Sequence, residues 1–446
     1  MPHPEVGRDV ETKLDLISLR AKKEPAYRFE SLAHLLNEGF LEQCYRGLGR
    51  NKAAGVDGVS WQEYGEKLDE NLKGLVVRLK AKQYRPLPAR RVYIPKDEHS
   101  ERPLGIPVQE DKVVGKGISR ILEAIYEQDF LECSHGFRPK RGCHTALKAV
   151  DRILLSKPIN HVIEADIKGF FDTVSHTWMM EFLGQRIGDP SLLRIIGRFL
   201  IAGYKDSGLL VESVKGTPQG GTLSPMLANV FLHYVLDEWF EKEIKPQVEG
   251  QCHLVRYCDD FIILVQYQEE AYRILELLRK RFAQYELQLH PEKTRVMSFG
   301  KYEAGNAQKQ SRRANTFDFL GLTHHCTKSR HGGFLVGRRT AVKKFRKKVK
   351  EMAQWFKVQR NKLKLSELWK LLSSKLRGHY QYYGVSGNYR GVCRYYWCTI
   401  KVAFKWLNRR SQRRSFNREQ FASYLKRYPL PKPHIVHRLY GLSTVK

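Results

Sequence analysis

No stretch of about eighteen apolar residues occurs anywhere in the chain, so nothing in it reads as a membrane-spanning helix. The first residues, MPHPEVGRDVETKLDL, carry acids and lack the apolar segment of a secretory leader. A soluble, intracellular protein is expected. Cysteines are few, 8 in 446 residues, and none are paired as CxxC, which argues against a disulfide framework. Cys133, His135, Cys143 and His144 fall close together, but the spacings C-x-H and C-H are not those of zinc fingers or ribbons, and no zinc site is expected. What the chain lacks most is acid: 47 Asp and Glu stand against 78 Lys and Arg, a formal net charge of +31. So one-sided a charge repels itself unless a polyanion supplies counter-charge, and nucleic acid is the obvious polyanion.

What is present is a globular composition, 42% hydrophobic and 11% aromatic, with length enough for two to four modules. Phe29, Leu32, Leu35, Leu36, Phe40 and Leu41 recur at helical spacing, which predicts one amphipathic helix over 28–47. The segment YRPLPARRVYIPKDEHSERPLGIP reads as a short basic β-hairpin. HVIEAD, 161–166, is a strand candidate; LVRYCDDFIILV, with two apolar runs around Cys-Asp-Asp, has the pattern of a tight hairpin; FDFLGLTHH reads as one further strand. Hairpins mixed with helices make an α+β chain rather than repeated βαβ units. Beyond Gly337 the character changes. Between Arg338 and Arg414 there are 23 Lys and Arg against Glu351 and Glu367 alone, with Val342, Phe345, Val349, Met352 and Phe356 at three-and-four spacing. This predicts a separate basic helical module. Its stretch HYQYYGVSGNYRGVCRYYWCTIKVAFKW interleaves aromatics with cations, a composition suited to stacking bases and neutralising phosphates.

Three carboxylates in apolar surroundings carry the chemistry: Asp166 at a strand end, and Asp259 with Asp260 between two apolar runs. Adjacent strand residues face opposite sides, so the two neighbours converge only if a turn re-aims them, and a hairpin tip at 257–260 supplies that turn. With Asp166 on a neighbouring strand, hard oxygen ligands would converge on two magnesium ions, the arrangement for nucleotidyl transfer.

The ordered blocks ADIKGFFD, TPQGGTLSPMLANVFL, RYCDD, LHPEKT and FLGL resemble the palm of group II intron reverse transcriptases. NKAAGVDGVS, RPLGIP and SHGFRPKRGCHTAL resemble that family's fingers, and GHYQYYGVSGN with YPLPKP its maturase or thumb region. The resemblance implies a right-hand polymerase fold: an N-terminal extension over 1–27, fingers over 28–160, palm over 161–325 and a basic helical thumb over 326–446. It implies metal binding by Asp166, Asp259 and Asp260 with the carbonyl of Ile167, triphosphate binding by Lys96 and Arg102, a gate against the 2′-hydroxyl at Phe171, and a pocket contact from Gln219. Cys258 stands where many relatives carry Ala, a change small enough to keep activity. Group II intron RNA, an RNA template with a DNA primer, deoxynucleoside triphosphates and target DNA are the implied partners, in a bacterial cytoplasm or at its nucleoid. The implied work is to assist intron splicing and to copy the intron during retrohoming, without a cis endonuclease, since the chain stops soon after YPLPKP. A freestanding relative in defence or DNA repair, a maturase whose polymerase is vestigial, and a viral RNA polymerase are the alternatives.

Overall fold

The computed structural model describes residues 4–95, 101–217, 220–410 and 415–440. Lys96 and Gln219 lie outside the described residues. Among the described residues eleven strands form three sheets. The first contains β1 (Ala89–Pro95), β2 (Glu101–Ile106), β4 (Tyr204–Asp206) and β5 (Leu209–Val211) in the order β2-β1-β4-β5. Its β1–β2 and β4–β5 pairs are antiparallel, while β1 and β4 run parallel over two residues. The second, wholly antiparallel, contains β3 (His161–Ala165), β6 (Cys252–Tyr257), β7 (Asp260–Val265) and β8 (Arg295–Ser298) in the order β6-β7-β3-β8. The third joins β9 (Thr316–Phe319), β10 (Leu322–Lys328) and β11 (Phe334–Thr340), also antiparallel.

The second sheet is covered on both faces, which explains why its strands read as unbroken apolar runs. Side chains alternate across a strand. Ile163, Ala165, Phe261, Ile263 and Val265 therefore enter a core shared with the helices Gln109–Tyr126, His176–Arg186 and Ser224–Leu232. Val162, Ile262 and Leu264 enter a second core with Ala146 and Leu147, the third sheet, and Phe356, Leu372, Tyr380 and Val392 of the basic helices. Those helices, Val342–Gln359, Leu365–Tyr383, Tyr389–Leu407 and Arg418–Arg427, are thus not a module standing apart: they close the far face of the central sheet. Among the described residues no helix is long and apolar enough to cross a membrane.

Two further sequence expectations fail. Residues 28–47 do not form one helix. Phe29 bridges to Ile187, Asp189 accepts from the backbone of Leu32 and Ala33 at 2.7 Å each, and only Glu38–Arg46 is α-helical, capped by Asn37 accepting from Phe40 N at 3.0 Å. The apolar spacing serves a core contact, while Asp189 captures the amides that a continuous helix would need. FDFLGLTHH is likewise two strands, because Leu320 and Gly321 both take positive φ, 51° and 74°, and turn the chain back on itself.

Candidate active site

The hairpin predicted around Cys258 forms, with Tyr257 paired to Asp260 and a two-residue turn between them. Cys258 takes φ 57°, the left-handed conformation that such a turn demands of its first residue. On the other side of β7, β3 runs antiparallel as far as Ala165 opposite Phe261, which leaves the next residue, Asp166, at the end of the sheet where Asp260 begins β7, close enough for its charge to bear on Asp260. Asp166, Asp259 and Asp260 therefore share the end of one sheet. Asp260 is solvent-accessible, yet the protein massed around it pushes its carboxyl up to about 6, by desolvation first and then by the charges of Asp259 and Asp166. Desolvation, joined by the charge of Asp166, also raises the Asp259 carboxyl.

Cations answer this concentration of negative charge from three directions. Lys293 Nζ lies 2.5 Å from Asp166 Oδ2. Arg102, on β2, lowers the Asp259 carboxyl, and Lys344, at the start of the Val342–Gln359 helix, lowers that of Asp260. The same helix reaches the first sheet, where Lys347 Nζ donates to the Pro95 carbonyl at 3.0 Å. Among the described residues no three His, Cys, Asp or Glu side chains stand in a ready-made metal cluster, and Asp166 is engaged by Lys293 instead. Asp166, Asp259 and Asp260 are the residues here that could hold a hard divalent cation, which would offset the charge that Asp166 adds to the desolvation of Asp259 and Asp260.

The turn carrying two of these carboxylates is held from beneath by a buried arginine. Arg256 is wholly buried in the apolar strand β6; its Nε donates to Asp237 Oδ1 at 2.7 Å and a terminal nitrogen also pairs with Asp237 Oδ2. The guanidinium further donates to Asn229 Oδ1 at 3.1 Å, to Ser134 Oγ at 2.8 Å and to the Cys258 carbonyl, in the turn itself, at 3.1 Å. Asp237 comes from a π-helical turn, His233–Asp237, that continues the Ser224–Leu232 helix. Asn229 Nδ2 donates to the Gly136 carbonyl at 2.7 Å, and His135 N to the Arg256 carbonyl at 2.9 Å, so the SHGF loop is tied to the same knot. Gly136 is there because nothing larger fits: a Cβ would stand 2.5 Å from Cys258 N. Gly136→Ala should therefore displace the turn. We expect near-native circular dichroism with a loss on the order of 100-fold in any reaction that these carboxylates serve, the scale of a misplaced reacting group; an unchanged rate would show that the turn tolerates the shift.

Of the remaining predicted residues, Phe171 lines a cleft of about 460 Å³ together with Arg91, Pro103, Tyr204, Val214 and Lys215. Its carbonyl accepts from Thr217 N at 2.7 Å, which fastens Thr217 beside it. Ile167 is buried and bridges to Leu289. The Cys/His group disperses into ordinary contacts: His135 bonds Thr145 Oγ1 at 3.0 Å, and His144 stacks on His437 with ring centroids 3.6 Å apart. Sequence reasoning did not single out Arg256, Asp237, Asn229, Lys293 or Lys344. For the first two a signal existed, an Arg and an Asp each set in an apolar segment, since such charges fold only in pairs. Lys293 and Lys344 carry no local signal; their contacts form across the fold.

The reverse transcriptase (RNA-dependent DNA polymerase) family model matches residues 94–324. Group II intron-encoded protein LtrA of Lactococcus lactis subsp. cremoris is 30% identical over 429 residues, covering 80% of this chain and 70% of LtrA. Protein YkfC of Escherichia coli K12 is 32% identical over 320 residues, 62% of this chain and 81% of YkfC. An uncharacterized 91 kDa protein in the cob intron of Schizosaccharomyces pombe is 34% identical over 238 residues, 53% of this chain and 29% of that protein.

Proposed function

Since the chain belongs to the group II intron-encoded reverse transcriptases, which are RNA-directed DNA polymerases, we propose that it copies RNA at the floor built by Asp166, Asp259 and Asp260. The observation that carries this reading is the β3–β7 register, which brings Asp166 to the same end of the sheet as Asp260 and the turn bearing Asp259. The family generally uses divalent metals, and these three carboxylates with the Ile167 carbonyl would hold two magnesium ions. Bound there, the ions would make the primer hydroxyl a better nucleophile and neutralise the leaving pyrophosphate.

The chain's own side chains do the rest. Arg102, already facing the carboxylates from β2, supplies a fixed cation for the triphosphate, with Lys96 assigned the same role and Gln219 a contact at the templating pair. Lys293 holds Asp166 in place. Phe171 occupies the wall of the cleft, where a bulky ring beside the sugar excludes a 2′-hydroxyl. Phe171→Ala should then raise the relative kcat/KM for ribonucleotides over deoxyribonucleotides by roughly 10- to 200-fold, the range open to a steric pocket. Unchanged discrimination would place the gate elsewhere.

We assign residues 1–27 to an N-terminal extension, 28–160 to fingers, 161–325 to palm and 326–446 to thumb. The net charge of +31 and the acid-poor thumb support a second activity, binding intron RNA to assist its splicing before copying it into a DNA target. Splicing of a group II intron precursor at low magnesium, with and without the protein, tests this second activity. Acceleration supports it, and an unchanged rate with RNA demonstrably bound contradicts it.

A further inference from the structure

Of the seven Tyr and Trp residues in the HYQYYGVSGNYRGVCRYYWC stretch, Tyr380, Tyr383 and Tyr395 are buried while Tyr382, Tyr389 and Trp397 are exposed. Trp397 is the most exposed of them. It is 61% exposed at the middle of the Tyr389–Leu407 helix. Arg390, Arg394, Lys401 and Lys405 are also exposed, and with Trp397 they recur at spacings of four, three, four and four residues. At 100° per residue these five side chains span an arc of about 80°, and along the axis about 22 Å. The opposite face, with Val392, Tyr395, Thr399, Ile400, Ala403 and Leu407, is buried in the second core. None of the four cations is ion-paired among the described residues, and the helix holds no acid. Arg394 lies 5.0 Å over the Phe345 ring, which stiffens its stem without neutralising its charge.

We propose that this face is a single-stranded RNA site separate from the polymerase floor, in which an unpaired base stacks on Trp397 and flanking phosphates lie along the four cations. The proposal rests on the RNA-binding reading above and names the structure that would be recognised. Charge without counter-charge selects a polyanion. An exposed indole centred among cations selects one with free base faces, which a duplex hides within its stack. The floor draws on the neighbouring helix instead, through Lys344.

The test is equilibrium binding of the full chain to a short unstructured RNA and to a blunt RNA duplex of equal phosphate count. Primer extension on a saturating primed template runs in parallel. Trp397→Ala should weaken single-strand binding roughly 10-fold, leave the duplex and the extension rate unchanged, and be largely rescued by Trp397→Phe. Replacing the four cations by Gln should flatten the slope of log affinity against log salt by about 3, four single-strand contacts at ~0.7 each. Wild-type affinity in Trp397→Ala, equal loss for single strand and duplex, or a parallel fall in extension would each overturn the proposal while leaving the polymerase reading intact. A wild-type protein that binds neither RNA would overturn both.

Discussion

Arg256→Leu should unfold more readily than the wild type by about 3–5 kcal/mol, because it leaves the Asp237 carboxylate buried without a counter-charge. Both side chains are wholly buried, so water cannot substitute. Burial already pushes the Asp237 carboxyl upward, and Arg256 is the chief group opposing that shift. A second substitution separates stability from geometry. Arg256→Leu/Asp237→Leu removes both charges and should recover most of the lost Tm, since an apolar pair of similar size is often as stable as a buried ion pair. Polymerisation should stay low in the double variant, because the Cys258 carbonyl, Asn229 and Ser134 still lose their common donor. Activity that returns together with Tm would make Arg256 a structural residue only, and its role in positioning the turn would be wrong.

Asp260→Asn should give the opposite stability result. Its carboxyl is raised to about 6 by desolvation and by Asp259 and Asp166, so in the metal-free protein the ionised form is held against its preference at neutral pH. The sign follows from linkage: a carboxyl raised above its unfolded value of 3.8 weakens the fold as pH rises through the interval from about 4 to about 6 and stays unfavourable above it. Asn abolishes that penalty. Because the side chain meets solvent in the cleft, the gain is discounted to on the order of 1 kcal/mol, visible as a higher Tm at pH 7 that vanishes at pH 4. Extension should meanwhile fall by about three orders of magnitude or more, the kinetic weight of several kcal/mol of charge stabilisation. A Tm below that of the wild type at pH 7 would show that the carboxylates are not in mutual repulsion.

The features most legible in the sequence were those where chemistry and backbone pattern coincide. Two apolar runs around Asp259-Asp260 admit a hairpin and little else, and the β6–β7 pair forms there. HVIEAD reads as a strand because the β-branched pair Val162-Ile163 favours extended backbone, and β3 takes up His161–Ala165. The reading fails where a distant group decides local structure. Asp189 intercepts the amides of Leu32 and Ala33 from 157 and 156 residues away, so helical spacing over 28–47 yields a helix only from Glu38. Leu320 takes positive φ against its own preference because β9 and β10 must pair, and no residue type announces that. Arg256 was visible as part of RYCDD but not as the anchor of the turn. Its partner Asp237 sits in another apolar segment, and only the fold brings the two to hydrogen-bond distance. The aromatic-basic stretch shows the same limit: composition marks it for RNA, but which rings face water depends on the second core.

The most direct test of the central claim is primer extension on an RNA template with deoxyribonucleotides and magnesium, comparing the wild type with Asp259→Ala/Asp260→Ala at equal RNA occupancy. Full-length cDNA from the wild type and none from the double variant is the result predicted by a carboxylate floor at the end of the β3–β7 pair. Equal synthesis by both proteins would contradict that assignment outright, and no synthesis by either, with RNA tightly bound, would leave an RNA-binding protein whose polymerase site does not work.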